Sequence, residues 1–390
     1  MKNFQFYMPT RIVFGSGELN NLHKYALPGK KALLVISNGK STKENGYLAR
    51  TEEQLKLAGI SSVLFDKVEA NPLKSTVMAG SLMAKENGCD FIIALGGGSC
   101  IDASKAIAIM ATNLGDYWDY IHGGTGKGMP VNHKPLPIVA ITTTAGTGSE
   151  ADPWGVVTNE ETQEKIGFGY DDTFPFLSIV DPELMVTIPA TFTAYQGFDA
   201  FFHSAEGYVS NGAHPASDMF ALAVIENISH YLARAVNDGN DLEAREKVAL
   251  GNTLSGVVES IGAVTSQHSL EHAMSAFYQE LPHGAGLIML SKAFFTHFIN
   301  LHVCDDRFIN MAEAMGMQNA KDPKDFITML VKLQKDCSVD ELKMSDYGIQ
   351  PDEFDALAKN AKETMGALFQ CDRSELTIQD CVAIYQASYK

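Results

Sequence analysis

Positive charge is scarce in this 390-residue chain. Thirty Lys and Arg stand against 47 Asp and Glu, a formal net charge of −17. Affinity for nucleic acid rests on cations that neutralise phosphates, so nucleic acid is excluded as a partner, and adhesion to an anionic membrane surface is disfavoured for the same reason. Cysteine is sparse too. Cys89, Cys100, Cys304, Cys337, Cys371 and Cys381 form no C-x-x-C pair, which excludes a zinc knuckle or thioredoxin-type motif. Six are also too few for a disulfide scaffold. No apolar run approaches the roughly 20 residues of a transmembrane helix, and the opening residues lack the apolar core of a signal peptide. A reduced, cytoplasmic protein is expected. Low-complexity linkers and internal repeats are absent. What is present is 45% apolar residues, ample for a core, in a length that suggests two domains of roughly 100–200 residues.

The first half alternates two signals. Ala32–Ile36, Ser62–Phe65, Phe91–Leu95 and Pro137–Ile141 are short apolar, partly β-branched runs, which read as buried parallel strands. Helical stretches at about 41–59, 75–88 and 99–113 lie between them, and this βαβα order predicts a doubly wound, Rossmann-like sheet. After Asp181-Pro182 strand signals fade. Segments 195–210, 214–236, 241–278, 283–300 and 306 to the end read as helix, with Pro189 and Pro215 placed where helices begin. The expected division is an α/β dinucleotide-binding domain over 1–188 and an all-helical domain over 189–390.

Two polar turns follow successive strands. Gly96-Gly97-Gly98-Ser99 opens a helix that carries Asp102 and Lys105. Glycines let backbone N–H groups approach a ligand, and the helix end adds a positive dipole, so the turn is suited to phosphate. It matches neither G-x-G-x-x-G nor the Walker pattern. Thr142-Thr143-Thr144-Ala145-Gly146-Thr147-Gly148-Ser149-Glu150 supplies hydroxyls for phosphate, ribose or a nicotinamide amide. Ligands of open α/β sheets bind at the carboxyl ends of strands, where both turns fall. After the Ala32–Ile36 strand an NAD-selective site usually places an acid. Here stand Ser37, Asn38, Gly39, Lys40, Ser41, Thr42 and Lys43. The lysines and Ser41 suit a 2′-phosphate, so NADP(H) is favoured over NAD(H).

The helical half holds a histidine constellation. His203 follows Asp199 by four residues, and His272 follows His268 by four, so each pair shares a helix face. His283 follows on a Pro282-His283-Gly284 turn. One Asp with three His is a divalent-metal set of mixed N and O character, suited to Fe2+, Zn2+ or Mn2+, and unlike cysteine-rich structural zinc sites. Four histidines leave one spare, a natural proton carrier.

Taken together these residues resemble the iron-containing (group III) alcohol dehydrogenase family over nearly the whole chain. Phe6–Thr10 through Phe14-Gly15 is similar to the family's N-terminal strand pair. Gly96–Lys105 resembles its GGGSxxDxxK diphosphate loop, Thr143–Glu150 its TTAGTGSE loop on the nicotinamide side, and Gly197–Glu206 its GxDAxxHAxE helix. Thr142 stands where proline is usual, Ser204 replaces an alanine, and the interval from His268 to His283 is one residue longer than the family pattern. The resemblance implies that Asp199, His203, His268 and His283 hold the metal, Fe2+ before Zn2+, and that His272 is the histidine beside it. It implies cofactor contacts at Gly97, Gly98, Ser99, Asp102, Thr143, Thr144, Thr147 and Ser149, with Asn71 and Lys165 close to the nucleotide. The implied activity is hydride transfer between a nicotinamide cofactor and a small alcohol, diol or aldehyde, in a homodimer or larger homo-oligomer. Polyol oxidation is the neighbouring alternative. A dehydroquinate-synthase-like lyase would need a basic cluster that these motifs lack. Phe201, Phe202, Trp154 and Phe277 are candidates either for an apolar substrate pocket or for core.

Overall fold

A computed structural model describes residues 3–390. It divides into two compact units, Met8–Thr187 and Ile188–Lys390, and residues 3–7 belong with the second. That grouping differs from a single division at residue 188.

The first unit contains β1 (Arg11–Phe14), β2 (Lys31–Ser37), α1 (Ser41–Glu44), α2 (Tyr47–Leu57), β3 (Ser61–Val68), α3 (Lys74–Glu86), β4 (Phe91–Gly96), α4 (Gly98–Thr112), β5 (Ile138–Thr142), β6 (Gly155–Asn159), β7 (Glu164–Phe168) and β8 (Leu177–Val180). Six strands form one sheet in the order β1-β8-β5-β4-β2-β3, every pair parallel. Strands β4, β5 and β8 are buried along their whole length. That explains their unbroken apolar sequences, because a parallel sheet covered on both faces has no solvent side to alternate with. Leu34, Ile93, Ile141 and Ile179 pack in one core cluster.

Three features depart from the sequence expectation. The segment Phe6–Gly15 yields one strand, not two: β1 pairs with β8, Val13 opposite Ile179. The expected stretch 41–59 is two helices parted by Asn45-Gly46, with Gly46 at φ 74. Strands β6 and β7 form a separate antiparallel hairpin, Val157 opposite Ile166, which the charged and polar residues at its ends conceal in the sequence.

The second unit is helical: α5 (Ala190–Val209), α6 (Pro215–Asn237), α7 (Leu242–Ile261), α8 (Ser266–Phe277), α9 (His283–Asn300), α10 (Asp305–Ala314), α11 (Lys324–Asp336), α12 (Phe354–Thr364), α13 (Gly366–Phe369) and α14 (Ile378–Ser388). Pro189 and Pro215 occupy the starts of α5 and α6. The stretch 241–278 is not one helix. It breaks at Gly262–Thr265, which puts Glu259 and His268 on different helices. Phe201 and Phe202 are fully buried. Phe201 stacks on Phe326 at 6.3 Å, and Phe202 meets Phe295 at 6.2 Å, so both belong to the core. Aromatic pairs of this kind contribute about 0.5–1.5 kcal/mol beyond area burial. Trp154 is 43% exposed and Phe277 half-buried. Among the described residues no helix is long and apolar enough to cross a membrane.

Candidate functional site

In the α/β unit the chain runs from β2 outward to β3, then returns to β4 on the other side of β2. The strand order therefore reverses between β2 and β4, the place where open α/β sheets receive ligands. Ser37 ends β2, with Gly39, Lys40 and Ser41 just after it, and Gly97, Gly98 and Ser99 follow β4. Gly97 caps α4 in an extended conformation. A Cβ on Gly97 would lie 2.7 Å from Thr144 Oγ1, and one on Gly98 would overlap Thr147. These glycines thus let the two polar turns pack against each other, and so keep backbone N–H groups at the start of α4 accessible to an anion. The Thr143 amide donates to the Gly96 carbonyl at 3.0 Å. The Thr142 hydroxyl donates to the Thr144 carbonyl at 3.0 Å, so threonine at the unusual position closes the turn itself. Thr143, Thr144 and Thr147 are half-buried.

Asp102 and Ser149 face each other. The Ser149 hydroxyl donates to Asp102 Oδ1 at 2.6 Å, and the Val156 amide to Oδ2 at 3.0 Å. Burial pushes the Asp102 carboxyl up, against the pull of Lys105. Lys105, 1% exposed, donates to the Ser149 carbonyl and hydroxyl, Asp152 Oδ1 and the Trp154 carbonyl at 2.6–3.0 Å. This network shapes the turn from inside. Ser99 donates to the Ala70 carbonyl, and Lys165 Nζ to Asn71 Oδ1 at 3.3 Å, which brings Asn71, Ser99 and Lys165 into one locality. Lys43 is engaged by Asp66 on β3 at 2.6 Å. A carboxylate therefore does stand beside the end of β2, supplied by the neighbouring strand, while Lys40 is exposed.

In the helical unit, α5 presents Asp199 and His203, α8 presents His268 and His272, and α9 begins at His283. Residues 278–282 form the connection between α8 and α9. Asp199 Oδ1 lies 3.7 Å from His203 Nε2, 3.7 Å from His268 Nε2 and 3.4 Å from His283 Nε2. Ligand atoms of Asp199, His268 and His283 fall within 4.8 Å of one another. Each ring has a carboxylate at its far nitrogen: Glu259 Oε1 at 3.4 Å from His203 Nδ1, Glu206 Oε1 at 2.6 Å from His268 Nδ1, and Glu271 Oε2 against His283 Nδ1. A carboxylate only accepts, so in neutral His268 and His283 the hydrogen-bonded Nδ1 carries the proton and Nε2 presents its lone pair. Asp199 Oδ1 then faces three imidazole Nε2 atoms at 3.4–3.7 Å. Asp199 Oδ1 and His268 Nε2 are buried without a hydrogen-bond partner among the described residues. Orphaned buried polar atoms are costly, and a bound cation, or protons on the rings in its place, satisfies Asp199 Oδ1 and His268 Nε2. The donor set suits Fe2+ or Zn2+, so the residues fit a divalent metal.

In the metal-free protein, protons on the rings take the cation's place beside Asp199. Burial alone would raise the Asp199 carboxyl, but the surrounding His203, His283 and His268 rings hold it well below the usual carboxylate range. Burial likewise disfavours charge on His268, yet Glu206 and Asp199 outweigh it and raise the ring to about 10. His272 is 5% exposed, with its ring centre 5.2 Å from that of His283 and 6.3 Å from that of His268. The carboxylates Glu206, Glu259 and Glu271 were missed from sequence. Glu206 ends the α5 motif and Glu271 sits between two histidines, so each carried a local signal; Glu259 carried none.

A parallel-sheet unit with two ligand-suited turns, followed by a helical unit with an Asp–His cation cage, is the make-up of a metal-dependent, dinucleotide-linked oxidoreductase. Comparison makes the class specific. Residues 9–182 match the iron-containing alcohol dehydrogenase family model, and residues 193–389 match the C-terminal model of the same family. The chain is 32% identical over 389 residues to the NAD-dependent methanol dehydrogenase of Bacillus methanolicus, covering 97% of this chain and 98% of that one. It is 33% identical over 366 residues to the 1,3-propanediol dehydrogenase of Klebsiella pneumoniae, covering 92% of each. An archaeal halo-thermophilic alcohol dehydrogenase from a Red Sea brine pool superposes with TM-score 0.94 at 32% identity over the full length of both chains. The chain belongs to the iron-containing alcohol dehydrogenase family of oxidoreductases.

Proposed function

We propose that this chain interconverts small primary alcohols or diols and their aldehydes, with hydride passing to or from a nicotinamide dinucleotide. The observation that carries the reading is the convergence of Asp199 Oδ1 with three imidazole Nε2 atoms at 3.4–3.7 Å. Asp199, His203, His268 and His283 are the proposed metal holders. A divalent ion held there, Fe2+ before Zn2+, supplies Lewis acidity toward a substrate oxygen. The chain's own residues do the rest. The amides of Gly97–Ser99 at the start of α4 hold diphosphate, and Thr143, Thr144 and Thr147 hold the nicotinamide side. Asp102, Ser149 and Lys105 keep that turn in shape. His272, buried beside His283, is the proposed proton carrier. The named relatives act on methanol and 1,3-propanediol, which supports unbranched, uncharged substrates, as does the acidity of the chain.

For the coenzyme, the absence of an acid among Ser37–Lys43 supports NADP(H) over NAD(H), although the methanol relative is NAD-dependent. Lys43 is held by Asp66, so Lys40 with Ser41 is the proposed 2′-phosphate contact. A homo-oligomer is proposed from the exposed aromatic arm Phe4, Phe6 and Tyr7, 47%, 49% and 45% exposed, and sedimentation checks it. The deciding experiment loads the protein with Fe2+ or Zn2+ and follows coenzyme absorbance with two- to six-carbon aldehydes, hydroxyaldehydes and dihydroxyacetone. The expected result is fastest turnover on unbranched aldehydes with NADPH. Absence of aldehyde-dependent oxidation overturns the activity, and a higher kcat/KM with NADH overturns the coenzyme assignment.

A further inference from the structure

We propose that three glutamates, Glu206, Glu271 and Glu259, are positioning residues that set the affinity of the metal cage, in that order of strength. The inference rests on the ligand set proposed above.

Each glutamate sits behind one histidine, and their settings differ. Glu206 is fully buried on α5. One oxygen takes His268 Nδ1 at 2.6 Å. The other accepts the Thr265 amide at 2.9 Å and the Thr265 hydroxyl at 2.8 Å. Thr265 caps α8, so one carboxylate fixes the start of α8 and the orientation of the ring that α8 carries. Glu271 is fully buried on α8 and holds His283 Nδ1. Its room comes from α9: a Cβ on Gly286 would lie 2.7 Å from Glu271 Cγ. Glu259 on α7 is looser, with its side chain 12% exposed and 3.4 Å from His203.

The physical consequence is twofold. A buried carboxylate at Nδ1 selects the tautomer whose Nε2 lone pair faces Asp199, and it raises the basicity of that nitrogen. Asp199 and the three glutamates also place four carboxylates around the rings, which favours a dication there. A short contact conveys both effects better than a long one, and the Glu206–His268 pair is also the driest of the three, with side chains 0% and 4% exposed, which sets the order.

The test uses full-length protein stripped of metal and titrated with Zn2+ against a competing chelator, with circular dichroism and thermal midpoint recorded before metal is added. Wild type should bind one Zn2+ per chain and His268→Ala almost none. Glu206→Gln keeps the shape but removes the charge and one of the two acceptor oxygens that serve His268 and Thr265, and should bind Zn2+ about 10- to 100-fold more weakly. Glu271→Gln should follow closely, and Glu259→Gln should lose less than about fivefold, as for a partly screened pair. If Glu206→Gln does not fold, Glu271→Gln against Glu259→Gln decides. Wild-type affinity in both Glu206→Gln and Glu271→Gln, or a larger loss in Glu259→Gln than in either, overturns the inference. So does a fall in affinity matched by collapse of the metal-free thermal midpoint, since that marks a packing role. Zn2+ binding that is missing in wild type, or intact in His268→Ala, instead overturns the ligand set itself.

Discussion

The two units build their candidate contacts in opposite ways. In the α/β unit the groups proposed to face a ligand are backbone amides and short hydroxyls on two turns, Gly96–Ser99 and Thr143–Ser149, each attached to the end of one strand. In the helical unit they are long side chains from α5, α8 and α9, steadied by glutamates from α5, α7 and α8. A backbone site depends on side chains being absent, because the glycines must stay bare for the turns to pack. A side-chain site depends on partners being present, because an imidazole without its carboxylate loses its tautomer and its aim. Each kind therefore fails under a different substitution.

The largest expected effect removes a cage member. His268→Ala should lower aldehyde reduction by roughly 10³-fold and abolish metal content, while coenzyme binding, followed by NADPH fluorescence, stays within error. Loss of coenzyme binding as well would break the separation between the units. Next is Lys105→Met, which strands Asp152 and two carbonyls in a dry interior and should cost roughly 3–5 kcal/mol by urea denaturation. An unchanged urea midpoint would remove Lys105 from its role in the turn. Gly98→Ala forces a Cβ onto Thr147 and should cost about 1–3 kcal/mol, raising KM for coenzyme with metal stoichiometry unchanged. Asp372 gives a smaller, pH-dependent effect. Burial pushes its carboxyl from the ordinary 3.8 up to about 7. A folded value above the unfolded one means the stability it contributes is present below about pH 4 and lost as pH rises through 7, so Asp372→Asn should flatten the fall in thermal midpoint over that window. Smallest is the lysine pair: Lys40→Ala should raise KM for NADPH but not NADH, and Lys43→Ala, exposed and tied to Asp66, should do little to either. A reversed ranking would return the 2′-phosphate contact to Lys43.

Legibility followed the same contrast. The two turns were readable because each lies within about ten consecutive residues, and Asp199 with His203 because four residues make one helical turn. Strand β8 and the β6–β7 hairpin escaped because they are short, and the hairpin's Glu164 and Lys165 mask its apolar positions. The break between α7 and α8 escaped because a long Ala-, Leu- and Val-rich stretch reads as continuous helix. Phe201 and Phe202 left a choice between pocket and core, which Phe295 and Phe326, far along the chain, decided.

By itself the sequence determined the class of the fold, the two polar turns, the residues able to bind a cation and the family to which they belong. These depend on periodicity, glycine and short spacings, all of which are local. Only the tertiary structure decided which carboxylate stands behind each histidine, that Lys43 is occupied by Asp66, and that Lys105 is a buried strut. Those pairings span from 12 residues, between Glu271 and His283, to 62, between Glu206 and His268. Their energy depends on distance and burial, and neither is written in the order of residues.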